Sequence, residues 1–185
     1  ITHTILKEIA LLAGSKGRVA LYISNGHGAW EAALSNLFRK NDKVLVISTG
    51  VFGSNWGKMA DKMGINTIYL EYGMEDSLDF DELAQIISND RNHEIKGILT
   101  VQTDTASSIL TDVGKVRLVL DEYNHPALFL VDSIACFGCD EMHMDEWGVD
   151  VLLTASQKGL MAPPGLSYLV INQKAEEEAK KVTEK

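Results

Sequence analysis

The sequence predicts a three-layer α/β fold built on a mostly parallel sheet. Two observations carry this reading. Short apolar runs bounded by turn residues alternate along the chain with amphipathic stretches of helical spacing, and the spacing of strand to helix is that of a parallel sheet covered on both faces. In such sheets ligands bind beyond the carboxyl ends of the strands, so the loops that follow the runs are where function is sought.

In chain order, Thr2 to Ser15 places Ile5, Ile9, Leu11 and Leu12 at helical spacing and stops at Gly14 and Gly17. Arg18 to Ile23 reads as a strand, Ser24 to Gly28 as a glycine loop, and Ala29 to Lys40 as a helix with Trp30, Ala33, Leu34, Leu37 and Phe38 on one side. Lys43 to Ser48 is a buried strand, and Thr49 to Gly53 opens a helix running to about Met63 and closed by Gly64. Asn66 to Glu71 is a strand, Gly73 to Leu78 a loop, and Asp79 to Ser88 a helix started by Asp79 or Asp81. Lys96 to Val101 is a strand that runs into the polar stretch Gln102 to Ser108; Asp112 to Tyr123 is a helix. Ala127 to Val131 is a strand with Asp132 at its end, Val149 to Leu153 and Leu166 to Ile171 are the last strands, and the chain finishes in a charged helical stretch.

At 185 residues, 45% hydrophobic, the chain is long enough for one large domain with a real core. A formal net charge of -9, with no basic face, argues against a nucleic-acid partner. No apolar run reaches the length of a membrane span and Ile1 to Gly17 lacks signal-peptide features, so no membrane partner and an intracellular, cytoplasmic location are expected, with a peroxisome or other organelle open for a eukaryotic source. Cys136 and Cys139 have no second cysteine pair, and His143 alone cannot complete a zinc site, so no metal is expected and both are read as buried, reduced thiols.

Three loops have chemical content. Ser24 to Gly28 joins a strand to a helix N-terminus, a geometry that offers N–H groups and a positive dipole end to an anion such as phosphate, although a simple turn would read the same. Asp132 puts a carboxylate at a strand end, where it could also merely cap the following turn. Thr154 to Gly165 places Lys158 between small residues and a Pro-Pro-Gly turn, where partial desolvation would leave a neutral amine able to condense with an aldehyde. A strand-end carboxylate, a lysine 26 residues later and an earlier phosphate-type loop are the parts pyridoxal 5'-phosphate requires.

Ser24 to Glu31, Val131-Asp132-Ser133 and Ser156-Gln157-Lys158-Gly159 through Pro163-Pro164-Gly165 resemble the class V aminotransferases of the fold type I pyridoxal-phosphate enzymes, in their serine–glyoxylate and alanine–glyoxylate branch. The resemblance runs from about Arg18 to Ile171. It implies that Lys158 is the Schiff-base lysine and proton shuttle, that Asp132 pairs with the pyridine nitrogen, that Thr105 hydrogen-bonds the phenolic oxygen, and that Phe52 stacks on the ring. Asn25, Gly26, His27 and Gln157 match phosphate-side positions, while Trp30, Trp56 and Trp147 are left as packing residues. The chain departs from the family where Gln102 to Thr105 replaces His-Asn-Glu-Thr and Ser108 stands where glycine is usual.

The resemblance implies transamination of a small amino acid, serine or alanine, with glyoxylate or another 2-oxo acid, by a homodimer. Other class V chemistry on the same cofactor, desulfuration or lyase activity, and a non-catalytic cofactor-binding fragment remain the alternatives. Residues 1–185 are expected to be the large, cofactor-binding domain of a longer chain, without its N-terminal segment and its small C-terminal domain. The four arginines, Arg18, Arg39, Arg91 and Arg117, fall outside the converging loops, so the clamp for a substrate carboxylate is expected elsewhere.

Overall fold

A computed structural model describes residues 1–183 and shows one seven-stranded sheet in the order β1-β7-β6-β5-β4-β2-β3. The strands are β1 (Arg18–Ile23), β2 (Lys43–Ser48), β3 (Asn66–Glu71), β4 (Ile95–Val101), β5 (Leu128–Asp132), β6 (Val151–Ala155) and β7 (Leu166–Ile171). Only β7 opposes its neighbours, pairing antiparallel with β1 and β6, so the carboxyl ends of the other six strands share one edge.

Successive residues along the central strands enter opposite layers, which is why these runs carry no polar alternation. Val44 and Val46 of β2 join Leu128 and Leu130 of β5 on one face, while Leu45 and Ile47 join Phe129 and Val131 on the other. On the first face lie α2 (Gly26–Leu37), α3 (Val51–Lys62) and α6 (Gln173–Thr183), contributing Trp30, Leu34, Trp56 and Ala175. On the second lie α1 (Thr2–Leu12), α4 (Phe80–Asn89) and α5 (Val113–Glu122), contributing Ile9, Leu83, Ile87 and Leu120. The three-layer α/β/α expectation holds. At about 25 cal/mol per Å² of apolar surface, these two buried layers are the main source of stability.

Side-chain caps set most helix starts. Asp79 accepts from the N–H groups of Asp81 and Glu82, Asp112 from Lys115, and Asn25 from Gly28. That last cap moves one boundary: α2 begins at Gly26, not Ala29, and ends at Leu37, so Gly26 and His27 are the first helical turn and not a loop before it. The final two parallel strands also shift, β6 starting at Val151 and β5 running through Asp132. No helix among the described residues is long and apolar enough to cross a membrane.

Candidate functional site

Loops after β1, β2, β4, β5 and β6 meet at the carboxyl edge of the sheet around a cavity of about 200 Å³. All eight residues singled out from the sequence line it: Asn25, Gly26, His27, Phe52, Thr105, Asp132, Gln157 and Lys158. They come from five separate stretches of chain, and β7, the antiparallel strand, contributes none.

The α2 N-terminus forms one wall. A helix leaves its first N–H groups without intrahelical acceptors. Here the Asn25 side chain takes the N–H of Gly28 at 3.2 Å, leaving the opening turn of Gly26 and His27 at the cavity. Gly26 lets the helix start approach Ile134, another lining residue: a Cβ there would fall 2.6 Å from Ile134 Cδ1, so that side chain would have to shift.

Asp132 forms the floor. It is the last residue of β5 and is buried, its Oδ1 accepting from the Ile134 N–H at 2.7 Å and its Oδ2 from Trp30 Nε1 at 2.6 Å. Burial pushes its carboxyl up to about 6; the two hydrogen bonds pull it down without offsetting the lost hydration, and the nearby Asp104 charge adds to the rise. Trp30 therefore does more than pack. It holds the carboxylate, stacks on Trp56 with centroids 5.9 Å apart, and meets Phe52 edge-on at 6.4 Å. The reading of Trp30 as a packing residue is corrected; no local signal marks it, because its partner lies 102 residues away.

Phe52, half-buried in the first turn of α3, faces the loop that carries Thr105. That loop keeps the backbone the family pattern would suggest: Ser108 adopts φ 63, the left-handed region glycine favours, and its N–H donates to the Asp104 carbonyl at 2.8 Å.

Lys158 sits at the apex of a loop closed on Ser156. Ser156 Oγ donates to the Pro163 carbonyl at 2.7 Å, the Ala162 N–H donates to the Ser156 carbonyl at 3.0 Å, and the Met161 N–H donates to the Lys158 carbonyl at 2.9 Å. The residue lines the cavity and is exposed, against the expectation of partial desolvation. Neighbouring Gln157 carries a buried Oε1 with no partner, an acceptor left for a ligand.

The thiols divide. Cys136 is buried, its Sγ donating to Gln102 Oε1 at 3.2 Å, and burial pushes it up to about 11; Cys139 is exposed, against the expectation of two buried thiols. It packs on the lysine loop: a Cβ on Gly159 would lie 2.7 Å from its Sγ and 2.3 Å from the Phe137 carbonyl oxygen.

These features fit pyridoxal phosphate: an open helix N-terminus for an anion, a buried carboxylate, an aromatic face, an amine and an unpartnered acceptor around one cavity. Comparison with known proteins gives the same direction. The family model described as aminotransferase class-V matches residues 4–184. The chain is 36% identical to an L-aspartate–glyoxylate aminotransferase of Paracoccus denitrificans over 95% of its own length and 44% of the relative's. It is 39% identical to a serine–glyoxylate aminotransferase of Hyphomicrobium methylovorum, over 86% of its length and 39% of the relative's. The fold superposes on an aspartate aminotransferase of subgroup IV from Thermus thermophilus with a TM-score of 0.85 and 27% identity, covering 95% of this chain and 49% of that one. The chain thus spans less than half the length of these relatives.

Proposed function

The chain belongs to the class V aminotransferase family, and from that premise we propose that it is the cofactor-binding part of an enzyme that transfers the amino group of a small amino acid, serine or alanine, to glyoxylate or another 2-oxo acid. The observation that carries the proposal is that Asp132, Lys158 and the N-terminus of α2, from three distant parts of the sequence, line a single cavity. The two relatives agree on glyoxylate and differ in the amino donor, which supports the acceptor more firmly than the donor.

Pyridoxal phosphate, when bound, supplies an aldehyde for the amino group and a ring that takes up the electrons left when a Cα–H bond breaks. The residues of this chain have complementary tasks. The leading N–H groups of α2, with Asn25, His27 and Gln157 alongside, would hold the phosphate. Asp132 would keep a proton on the pyridine nitrogen, and a cationic partner would offset the burial of its carboxylate. Phe52 would stack on the ring, and the Thr105 hydroxyl would donate to the phenolic oxygen. Lys158 would hold the cofactor covalently and, once freed, carry the proton between Cα and the cofactor. Its exposure suits that double task, because an amine at a loop apex can swing without disturbing the core. Desulfuration is disfavoured: it needs a mobile nucleophilic thiolate that reaches the cofactor, and neither thiol lines the cavity, Cys136 being buried with its thiol pushed up and the exposed Cys139 lying against Gly159. Ile23 and Met161 flank the lining loops at 91% and 92% exposure, which supports a covering by a second chain or a further segment.

The test is to add pyridoxal phosphate to the chain and to Lys158→Ala and to follow the absorbance band that borohydride abolishes. Wild type is expected to show it and to gain the reduced cofactor's mass at Lys158; the variant, with unchanged circular dichroism, is expected to show neither. A borohydride-sensitive band of equal size in the variant would overturn the assignment.

A further inference from the structure

β2 and β4 are neighbours in the sheet, yet the helices that follow them, α3 and α5, lie on opposite faces. A crevice therefore opens between their carboxyl ends. α3 starts at this crevice with Gly50 as its first flanking residue and no capping side chain of its own. Asp104, fully buried in the loop after β4, takes that role from across the gap. Its Oδ2 accepts from the N–H groups of Phe52 at 2.8 Å and Gly53 at 3.0 Å, and its Oδ1 from Ala106 at 3.0 Å. One carboxylate thus fastens the segment bearing Phe52 to the loop bearing Thr105.

We infer that Asp104 is a positioning residue of the cofactor pocket, which sets the distance and orientation between the aromatic wall at Phe52 and the hydroxyl at Thr105. The inference rests on the cofactor reading above for its purpose, and on geometry alone for the tie itself. All three partners are donors, and two of them open a helix whose dipole favours an anion at that end. Gly50 leaves the space the carboxylate needs: a Cβ there would lie 2.4 Å from Asp104 Cγ. The backbone of Gly50, at φ 174, is extended and open to any residue, so the requirement at that position is for room and not for conformation. The tie also reaches the floor of the pocket, since the Asp104 charge acts on Asp132.

Two variants separate these points. Asp104→Asn keeps the shape but loses the charge and one acceptor oxygen; Gly50→Ala keeps the charge and displaces the carboxylate. In the unliganded chain, amide hydrogen exchange at Phe52 and Gly53 is expected to quicken about tenfold or more in both variants, the size of a lost charge-assisted hydrogen bond, with exchange in β5 and β6 unchanged. The dissociation constant for pyridoxal phosphate, read from tryptophan fluorescence, is expected to rise by a similar factor. The Asp132 carboxyl, followed by carbon NMR, is expected to titrate lower in Asp104→Asn and to move less in Gly50→Ala. Exchange and affinity both within about twofold of wild type would overturn the inference. So would quickening spread evenly over the sheet, or faster exchange with no loss of affinity, either of which makes Asp104 a purely structural tie. If Asp104→Asn does not fold, Gly50→Ala gives the same reading. Failure of the wild-type chain to bind pyridoxal phosphate would sink the cofactor proposal, and with it the positioning role, while the amide exchange still decides whether the tie exists.

Discussion

Asp132 should make the unliganded chain less stable as pH rises, and the size of the effect follows from its surroundings. The unfolded carboxyl titrates at its ordinary value of 3.8, and the folded one at about 6, with burial as the largest cause. Between those values the folded state holds a proton the unfolded state has released, so stability falls as pH rises through the window and the full penalty is present above about 6. At about 1.36 kcal/mol per pH unit the penalty comes to about 3 kcal/mol. Asp132→Asn cannot titrate. Its absolute stability also reflects the amide it places against the donors Trp30 Nε1 and Ile134 N–H, but that contribution does not vary with pH. Urea unfolding of both proteins from pH 4 to 7, followed by far-ultraviolet circular dichroism, should therefore show the variant gaining most of 3 kcal/mol on wild type across the range. Parallel profiles would mean that the carboxyl does not titrate high and that the electrostatic account of the cavity floor is wrong.

Three further changes test neighbouring parts. Trp30→Phe removes the indole N–H and leaves the ring, so the Asp132 midpoint should climb above about 6 in carbon NMR; an unmoved or lower midpoint would show that the 2.6 Å contact does not hold the carboxylate. Gly159→Ala drives a Cβ to 2.3 Å from the Phe137 carbonyl oxygen, a backbone atom that cannot swing aside, and should cost about 2 kcal/mol or more, whereas Gly114→Ala in α5, with nothing nearer than 3.5 Å, should be neutral or slightly stabilising. Equal melting temperatures for these two variants would refute the packing argument. His125 is buried with its folded midpoint below the ordinary 6.5, burial outweighing its hydrogen bond to Asp90, so its contribution is present above 6.5 and lost as pH falls below it; His125→Gln should flatten the stability profile in that range, and an unchanged slope there would contradict it.

The parts legible in the sequence are those whose cause is local. The strands were readable because a sheet covered on both faces demands continuous apolar runs, and Val44 to Ile47 or Leu128 to Val131 have no other way to be buried. The cavity was readable because strand-end loops on a parallel sheet converge whatever their sequence separation, so naming the loops named the site. What escaped depended on distant partners. Asp104 and Trp30 sit in unremarkable local settings, and their roles come from contacts 52 and 102 residues away. The start of α2 was misplaced because Gly26 and Gly28 are poor helix formers, and only the Asn25 cap on the Gly28 N–H shows why the helix begins there. The lack of partners for a zinc site and the usual burial of free thiols predict a buried Cys139, whereas it is exposed, next to Gly138 at φ 86, with its Sγ by Gly159.

The cationic side chains explain what this cavity does not provide. A substrate α-carboxylate is best held by the planar fork of an arginine, which fixes both oxygens and hence the direction of the Cα–H bond. None of the four arginines lines the cavity. Arg18 opens β1, whose far end leads to Asn25, and pairs with Glu176; Arg39 donates to the Lys181 carbonyl; Arg117 pairs with Asp121; Arg91 follows α4. His27 and Lys158 are the basic side chains at the cavity, and both have proposed tasks toward the cofactor. The chain should therefore bind pyridoxal phosphate yet convert glyoxylate to glycine slowly with serine or alanine as donor, and its KM for the donor should be raised more than its dissociation constant for the cofactor. Glycine production by the purified 185-residue chain, verified by mass, is compared with that of a full-length relative such as the Hyphomicrobium serine–glyoxylate aminotransferase. Comparable kcat/KM would show that the groups already in the cavity hold the carboxylate, and that the need for a guanidinium has been misjudged.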